Sequence, residues 1–490
     1  MKAGVDSNDR ELQKGESISR RYSETYARPP ETDDYVVAKN QPHCSKCDTL
    51  MVQDPDVLDT WFSSWLWPFA TFYWPFSQGS GDLVSKRKEE LDYFYPTDTL
   101  VTASEILFFW VARMVMAGLE FKGEVPFRDV VIHGTVRDED RVKMSKSLGN
   151  VIDPLHIIEE YGADALRFSL ILIAASGSDV YLSDDKFLVG RNFANKIWNA
   201  TRFILLKVKN ESFCVENLDF DSSFTEVDEW IIEEFKKTVI NTTSCLEQYS
   251  FNEAAKRIYE FFWHSFCDWY IEIAKDSFDS TKAKLLIYLL LGSVKLLHPF
   301  MPFITEEIFR LIKETTALNL QNSLAVSFWP KAERIQNEDK VEVASLMFDT
   351  IKEIRNIKND LGFSQKKIKL EVKTAGFEEF WRSNRAWIER LANVGPFEIK
   401  DSIKRPLYSN RFWSVNLDFE SADLTSFIAS LDKKITQLGK VLEKSGKKLK
   451  NNKFLENASP EVVDKERSKF ENFSGHIERL EKLKNIFSSG

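Results

Sequence analysis

The segment with the clearest chemical potential is Lys143-Met-Ser-Lys-Ser147. Two lysines three residues apart on a serine-rich loop can direct both ammonium groups to one polyphosphate, and Ser145 and Ser147 add hydroxyl donors. Fixed cations of this kind stabilise the charge that develops when a carboxylate attacks an α-phosphate and pyrophosphate leaves. The pattern predicts a phosphate-binding loop in which Lys143 and Lys146 act on the reacting phosphates. An ordinary exposed lysine–serine loop is the alternative.

A second candidate is the pair Cys44 and Cys47, which follows His43. This spacing is typical of zinc sites, but it supplies two ligands where a structural zinc site needs four. We therefore expect half of a zinc site at most. The chain holds five cysteines in 490 residues, an odd number without a repeating framework. Such usage indicates a reducing compartment, and we expect a cytoplasmic protein.

Two groups of polar and basic side chains suit a nucleic-acid partner. Arg191, Asn195, Asn199 and Arg202 recur at helical spacing and define one face of a helix. The segment Lys433–Lys453 holds eight lysines and one glutamate, a net charge of +7 in a chain whose total is −9. Contact with a phosphate backbone depends on local charge rather than on the total. Solvated helix faces are the alternative in both places.

The elements that must position the lysine–serine loop are predicted to be of α/β type. From Asp54 to Val180, short apolar or β-branched runs alternate with segments of helix length. The predicted strands are Thr99–Thr102, Val130–His133 and Phe168–Ile173. The predicted helices are Glu105–Leu119 and Pro154–Tyr161.

The rest of the chain is predicted to be mainly helical. Helical periodicity from Ser183 to about Glu333 predicts a helix bundle. A small α/β appendage follows, with a predicted helix at Ala344–Leu361 and predicted strands at Lys367–Val372 and Trp413–Phe419. In the last segment, apolar residues step by alternating three and four on both sides of a break at Asn451–Pro460. That pattern is typical of an antiparallel coiled coil.

A chain of 490 residues is long enough for about three domains or more. The periodicities divide it into residues 1–182, 183–340, 341–422 and 423–490. Hydrophobic residues make up 43% and charged residues 29%, which excludes collagen-like and wholly disordered classes. The N-terminal residues lack the apolar core of a signal peptide. Ile106–Leu119 and Leu285–Phe303 are too short or too interrupted to cross a membrane, so we expect no membrane association.

Further segments occur in a fixed order around the loop. They are Asp56-Val-Leu-Asp-Thr-Trp-Phe-Ser-Ser64, Tyr95-Pro-Thr-Asp98, Phe108-Phe-Trp-Val-Ala-Arg-Met114, Gly162-Ala-Asp-Ala-Leu-Arg-Phe168, Arg191-Asn-Phe-Ala-Asn-Lys-Ile-Trp-Asn199 and His298-Pro-Phe-Met-Pro-Phe-Ile-Thr-Glu-Glu307. Together with the KMSKS loop they resemble the valyl-tRNA synthetase family of class I aminoacyl-tRNA synthetases, from about Cys44 to Leu483. The first and third segments and the coiled-coil arm favour valine over the related isoleucine and leucine families.

The resemblance implies a fold and a role for each candidate residue. It implies a Rossmann-like catalytic remnant, a helical anticodon-binding domain and a coiled-coil arm that binds tRNA. The implied ATP-binding residues are His133, Gly134, Lys143, Ser145 and Lys146, with Mg²⁺ accompanying ATP. The implied amino-acid pocket is formed by Trp61, Ile106 and Trp110. The implied tRNA-binding residues are Arg191, Asn195, Arg202, Lys433, Lys434, Lys440, Lys447 and Lys448.

Two departures from the family pattern bear on activity. Ala103 and Glu105 occupy positions where the family usually has Gly and Asp. The six histidines include no His-x-x-His spacing, so the chain contains no HIGH motif, and no segment resembles the family's editing domain. The chain therefore resembles the C-terminal half of the enzyme.

The function implied is the ATP-dependent charging of tRNA-Val with valine, together with a separate N-terminal half. The alternative from another class is a tRNA-binding module without catalysis. A protein that interacts through the coiled coil alone is a third reading, but it would leave the KMSKS loop and the tryptophan pocket unconstrained.

Overall fold

The structure is a computed structural model that describes residues 36–55, 57–76, 81–174, 177–220, 224–331, 337–419, 424–457 and 460–488. The chain divides into two compact units. Unit 1 comprises the residues up to Leu100 together with Glu105–Asp129, and unit 2 comprises Val101–Ser104 and Val130–Gly490. Residues 1–35 of the first predicted segment lie outside the described residues.

Short helices around an aromatic core make up unit 1. They are α1 (Thr60–Ser64), α2 (Trp67–Ala70), α3 (Asp82–Phe94) and α4 (Ala112–Lys122). Strand β1 (Thr97–Ala103) confirms the predicted strand. The predicted helix at Glu105–Leu119 is also confirmed, but it begins with a 3-10 turn and a π-helical turn, Leu107–Val111, before α4.

The strands nearest to the predicted phosphate loop in sequence form two small sheets. Strand β2 (Phe127–His133) lies beside β1 in one of them. Strand β3 (Val136–Arg137) pairs in parallel with β4 (Val180–Tyr181) in the other, with Val136 opposite Val180. Helix α5 (Pro154–Tyr161) confirms the predicted helix, and Asp153 caps it by accepting a hydrogen bond from the Leu155 N–H.

The predicted strand at Phe168–Ile173 is wrong, because this segment is the second half of helix α6 (Ala163–Ile173). Among its buried residues, Phe168 and Ser169 follow Ala165 by three and four positions, so these three share one face. A continuous apolar run of this length does not distinguish a buried strand from a buried helix. The helix is held in place at its start, where the Asp164 carboxylate accepts hydrogen bonds from the Phe303 and Ile304 N–H groups.

The predicted helix bundle is present in unit 2. Its main helices are α7 (Leu188–Asn210), α8 (Glu226–Glu247), α9 (Phe251–Glu260), which continues as an eleven-residue π-helix (Phe261–Ile271), α10 (Glu272–Ala274), α11 (Ser280–Leu297) and α12 (Pro302–Thr315). Phe193, Ile197 and Ile204 of α7 are fully buried, which confirms the predicted apolar face. Burial of such faces is the main source of helix stability in a bundle.

A buried ion pair lies at the start of α8. The Lys282 ammonium contacts the Asp228 carboxylate, which also accepts a 2.7 Å hydrogen bond from the Tyr270 hydroxyl. Burial alone would raise the pKa of Asp228, but the charge of Lys282 and hydrogen bonds from Lys282, Tyr270 and Thr225 together lower it. The carboxylate therefore stabilises the fold at neutral pH, and this contribution is lost as the pH falls through the lowered pKa of Asp228.

We expect Lys282→Met to reduce the free energy of unfolding by about 3–5 kcal/mol, because it leaves a buried carboxylate without its cation. Chemical denaturation at neutral pH, followed by helical circular dichroism, measures the change. Lys237→Met on α8 is the control, because the exposed pair of Lys237 with Glu234 should contribute no more than about 1 kcal/mol. Equal effects of the two substitutions would contradict the assignment.

A helix and a mixed sheet follow the bundle. Helix α13 (Glu338–Asp360) precedes a four-stranded sheet with the strand order β6–β5–β8–β7. The strands are β5 (Lys369–Thr374), β6 (Phe397–Ile399), β7 (Tyr408–Ser409) and β8 (Trp413–Asp418), and two short helices, α14 (Glu378–Ser383) and α15 (Arg385–Ala392), connect β5 to β6. The predicted helix and both predicted strands of this segment are thus confirmed, with boundaries shifted by a few residues.

The C-terminal segment is an antiparallel pair of long helices, called the arm below. It consists of α16 (Leu424–Leu449), the short α17 (Asn452–Asn457) and α18 (Pro460–Ser488). The antiparallel direction follows from two contacts: the Lys484 ammonium lies 2.6 Å from the Asp432 carboxylate, and the Ser445 hydroxyl donates to the Glu466 carbonyl. Leu431 and Leu480 are fully buried in the core.

The arm is attached to the end of α13 through a buried carboxylate. Asp360 accepts a 3.0 Å hydrogen bond from His476 Nε2 and an ion pair from Arg479, both on α18. From α16, Lys434 donates to the Asp360 backbone carbonyl. Both long helices are therefore attached at one point.

Among the described residues, no helix is long and apolar enough to cross a membrane.

Candidate functional site

The KMSKS loop lies in unit 2 and is folded around Asp138. The Asp138 carboxylate accepts hydrogen bonds of 2.8 Å from the Val142 N–H and from the Asn150 side-chain amide. The bond from Asn150 is the main reason that the pKa of Asp138 is lowered. The Asn150 carbonyl oxygen in turn accepts a 2.9 Å hydrogen bond from the Ser145 N–H. Asp138 and Asn150 thus bind the two ends of the loop to each other.

The two lysines of the loop are exposed, and the two residues between them are half-buried. Lys143 and Lys146 both expose their side chains to solvent, whereas Met144 packs against the core formed by Ile157, Val180 and Leu182. The Ser145 and Ser147 hydroxyls lie 3.1 Å apart. The loop is therefore anchored by its methionine and presents two ammonium groups and two hydroxyls at its surface, as phosphate binding requires.

His133 and Gly134 precede the loop at the end of β2. The His133 Nδ1 lies 3.0 Å from the Gly134 carbonyl oxygen. A Cβ atom at position 134 would lie only 1.7 Å from the Ser178 carbonyl oxygen, so only glycine allows this approach. The structure thus gives Gly134 a packing role against residues 178–179, in addition to the role that the resemblance implies.

Sequence reasoning missed three residues that hold this site: Asp138, Asn150 and Asp179. Asp179 accepts a 3.1 Å hydrogen bond from the Thr135 N–H and an ion pair from Arg137, which lowers the pKa of Asp179. Asp138 and Asn150 lie just outside the KMSKS motif. An Asp before a turn and an Asn next to Gly149 are typical turn residues, so the sequence could have indicated both. Asp179 lies more than forty residues from Arg137 in sequence, and no spacing rule connects them.

The predicted amino-acid pocket lies in unit 1. Asp59 caps α1 by accepting a hydrogen bond from the Trp61 N–H, and the same carboxylate lies 3.0 Å from an Arg113 guanidinium nitrogen. The Trp110 indole N–H donates a 3.3 Å hydrogen bond to the Ser64 carbonyl. These bonds join α1 to the helix that carries Trp110.

The three predicted pocket residues are half-buried rather than part of a sealed core. Trp61 stacks on Phe109 with a centroid distance of 6.3 Å, and Trp110 lies 6.1 Å from Trp67. Ile106 is on the 3-10 turn that precedes the π-helical turn. Trp61 and Trp110 thus belong to two aromatic pairs that remain partly accessible to solvent.

The cysteine pair forms a tight turn. The Cys44 N–H donates to the Thr49 carbonyl, and the Lys46 N–H lies 3.4 Å from the Cys44 sulfur. Hydrogen bonds with Thr49 lower the pKa of Cys47. Within the described ranges, no group of three or more His, Cys, Asp or Glu side chains could hold a metal ion. The residues present here do not fit a structural zinc site, which needs four ligands.

Helix α7 places its predicted basic face at the surface of the bundle. Arg191, Asn195 and Arg202 are exposed, and the Arg191 guanidinium lies 5.5 Å from the centre of the Tyr161 ring. Trp198 is 40% exposed on the same face, seven residues from Arg191, and sequence reasoning did not include it. An exposed indole between two arginines can stack on an unpaired base.

The arm lysines divide into two groups. Lys434 is half-buried and donates to the carbonyls of Asn359 and Asp360, so its ammonium attaches the arm to α13. Lys433 and Lys440 are exposed. Lys447 pairs with Glu443, and Lys448 lies 3.7 Å from Glu466. The Lys447–Glu443 pair is exposed and therefore weak, so a phosphate can replace its carboxylate, whereas the Glu466 side chain is only 14% exposed.

Three family models match the chain in order. The first, "tRNA synthetases class I (I, L, M and V)", matches residues 7–183. The second, "Anticodon-binding domain of tRNA ligase", matches residues 228–374. The third, "Valyl tRNA synthetase tRNA binding arm", matches residues 423–486.

Comparison with curated proteins gives valine–tRNA ligases. The chain is 40% identical over 471 residues to the enzyme of Treponema denticola, covering 90% of this chain and 50% of that protein. It is 40% identical over 468 residues to the enzyme of Fervidobacterium nodosum, covering 92% and 51%. Among solved structures, a leucyl-tRNA synthetase of Agrobacterium radiobacter K84 in complex with tRNA is 22% identical with a TM-score of 0.47, covering 68% of this chain and 38% of that one.

The class follows from the family models, from the curated relatives and from the loop: the chain belongs to the class I tRNA synthetase family. Within that family it is a homologue of the valine–tRNA ligases. It spans about half the length of the curated relatives that it matches.

Proposed function

We propose that the chain acts as the C-terminal half of a valine–tRNA ligase. In this proposal it supplies the KMSKS half of the ATP site, part of the valine pocket and the surfaces that bind tRNA-Val. The observation that carries the proposal is the KMSKS loop itself, because Asp138 and Asn150 hold it in a defined shape with both lysines exposed. Mg²⁺ accompanies ATP as part of the substrate, and the site of action is the cytoplasm.

The chain's own residues have distinct parts in the proposed reaction. Lys143 and Lys146 stabilise negative charge on the phosphates as pyrophosphate leaves, and Ser145 contributes a hydroxyl donor. Because residue 134 is glycine, the backbone at the end of β2 can lie close to Ser178. The resemblance to the family puts this backbone near the adenine of ATP. Trp61, Ile106 and Trp110 limit the size of the amino-acid side chain.

Two surfaces of the chain bind tRNA-Val in this proposal. The exposed face of α7, with Arg191, Asn195 and Arg202, contacts the anticodon region. The arm is an antiparallel coiled coil whose exposed lysines, Lys433, Lys440, Lys447 and Lys448, contact phosphates. Lys434 is given a structural part, because its ammonium is already bound to backbone carbonyls.

The same proposal includes a complementary N-terminal half. Unit 1 exposes large apolar side chains that a complete catalytic domain would cover, among them Val57, Leu58 and Phe108, which are 91%, 72% and 73% exposed. Phe108 and Phe109 are in contact with a centroid distance of 5.5 Å, so the exposure is continuous there. Contiguous exposed apolar surface commonly marks an interface.

Valine-dependent ATP–pyrophosphate exchange tests the proposal. We expect exchange when the chain is co-expressed with the N-terminal half of the Treponema denticola relative, and a large loss when Phe108→Glu charges the exposed surface. Exposed Leu83→Glu is the control. Absence of exchange in every pairing, with tRNA binding retained, would contradict catalysis and favour the second candidate, a tRNA-binding module.

We expect Trp110→Ala to enlarge the amino-acid pocket and to raise activation of isoleucine relative to valine. One methylene in an apolar pocket is worth about 1–3 kcal/mol, so the ratio of kcat/KM for the two amino acids should move by about tenfold or more. Phe108→Ala, on the same π-helical turn but pointing to solvent, is the control and should leave the ratio unchanged. An unchanged ratio in Trp110→Ala would assign Trp110 to ordinary packing.

A further inference from the structure

A groove in unit 2 lies between the arm and the strand β4. Its volume is about 900 Å³, which is within the range of sites that hold small ligands. One wall is formed by Ser178, Asp179, Tyr181 and Lys186, and the other by residues of α18. Tyr181, on the first of these walls, is 46% exposed.

The arm wall of the groove is one face of α18. Lys465, Ser468, Lys469 and Asn472 are three or four residues apart, so they lie on the same side of the helix, and all four are exposed. Two cations, a hydroxyl and an amide are donors for phosphate oxygens and for ribose hydroxyls. Lys186 adds a third cation from the opposite wall.

The acidic residues of the groove are paired with arginines. Asp179 is bound by Arg137, and Asp464 lies 3.9 Å from an Arg467 guanidinium nitrogen. Each acidic residue of the groove thus has an arginine beside it, so the three lysines leave the groove with a net positive charge. Tyr181 offers an aromatic ring to a base or a ribose.

We propose that this groove holds a stretch of RNA sugar–phosphate backbone, with Lys186 on one side and Lys465 and Lys469 on the other. The proposal rests on the proposed function, because it extends the tRNA-binding surface from α16 to α18. An acidic polypeptide could also be attracted by three lysines. RNA is favoured because hydroxyl, amide and aromatic groups accompany the cations.

One wall of the groove also contacts the segments that support the KMSKS loop. Residues 178–179 contact Gly134 and accept a hydrogen bond from the Thr135 N–H. The adjacent strand β4 pairs with β3, and Arg137 of β3 is bridged to Lys143 of the KMSKS loop. RNA in the groove would therefore contact a wall whose other side supports the ATP loop, and we infer that it restrains this wall.

The binding test uses the full chain, a tRNA-Val transcript and filter retention at several salt concentrations. We expect Lys465→Gln/Lys469→Gln to weaken binding roughly tenfold and to flatten the plot of log K against log salt by about 1.5, since each phosphate contact contributes a slope of roughly 0.7–0.9. Lys186→Gln should flatten it by about half as much. Lys482→Gln, an exposed lysine on the same helix paired with Glu478, is the control.

Hydrogen exchange provides a readout that a general loss of charge would not change. We expect tRNA to slow exchange at residues 177–182 and 143–150 in the parent chain and in Lys482→Gln, but not in the double variant. An affinity and salt slope unchanged by Lys465→Gln/Lys469→Gln would overturn the proposal. If deletion of the arm still weakened tRNA binding, the proposed function would stand without the groove. Polyglutamate binding that requires these lysines while RNA binding does not would overturn the proposal in favour of an acidic protein.

Discussion

Lys146→Ala in the assembled enzyme is expected to lower the rate of valine-dependent pyrophosphate exchange by about 10²–10³, the usual cost of removing one group that stabilises transition-state charge. Its affinity for tRNA-Val should change less than twofold. The side chain is exposed and the shape of the loop comes from Asp138, Asn150 and Met144, so the substitution removes a charge without unfolding the site. Exchange kinetics and filter retention measure the two quantities.

Two further variants sharpen this test. Lys209→Ala removes an exposed lysine at the end of α7 and should change neither quantity appreciably. Asn150→Ala removes the bonds to Asp138 and Ser145 while keeping both lysines, and we expect it to raise the KM for ATP because the loop loses its preferred shape. Equal losses of exchange and of tRNA binding in Lys146→Ala would refute a specific role on the phosphates.

The parts of the fold that sequence predicted well have a strong periodic signal. Phe193, Ile197 and Ile204 repeat at helical spacing and are all buried on one face of α7. The same holds for Leu431 and Leu480 of the arm. Amphipathic periodicity can be recognised in a sequence without knowing which elements pack together, because each helix must bury one of its faces.

The failures occurred where tertiary context decides. Phe168–Ile173 is apolar except for Ser169, so its sequence shows no clear period, and its packing against α7 and its attachment through Asp164 make it a helix. In sequence, Lys434 cannot be distinguished from the other lysines of Lys433–Lys453. In the structure, the end of α13 lies beside it and binds its ammonium. The Arg137–Asp179 pair links residues far apart in sequence. No local pattern contains such information.

The chain by itself is expected to bind tRNA-Val without activating valine. In the class that it resembles, ATP is held by the HIGH segment and by the KMSKS loop, and this sequence contains only the second. Phosphates and adenine would then be held from one side, and the barrier to adenylate formation would stay high. By contrast, the basic face of α7 and the exposed arm lysines are present in full.

Removing 424–490 should therefore weaken tRNA binding and reduce its salt dependence. The four exposed lysines of α16 that are proposed to contact phosphates should account for a flattening of the slope of log K against log salt by about 3, since each contact contributes roughly 0.7–0.9, and Lys465 and Lys469 of α18 should account for about 1.5 more. A variant with Lys433, Lys440, Lys447 and Lys448 changed to Gln should reproduce most of this effect while keeping Asp360 bound to His476 and Arg479. This variant therefore separates the effect of the lysine charges from the effect of losing the attachment to α13.

Filter retention at several salt concentrations, beside pyrophosphate exchange with valine, decides both statements. Robust exchange by the isolated chain would refute the half-site argument, because one half of the ATP site would then be sufficient for adenylate formation. A salt slope that neither the deletion nor the four-lysine variant changes would show that the arm lysines only solvate a helix face. Loss of binding in the deletion but not in the four-lysine variant would instead indicate that the arm acts through its shape and its attachment at Asp360 rather than through its charge.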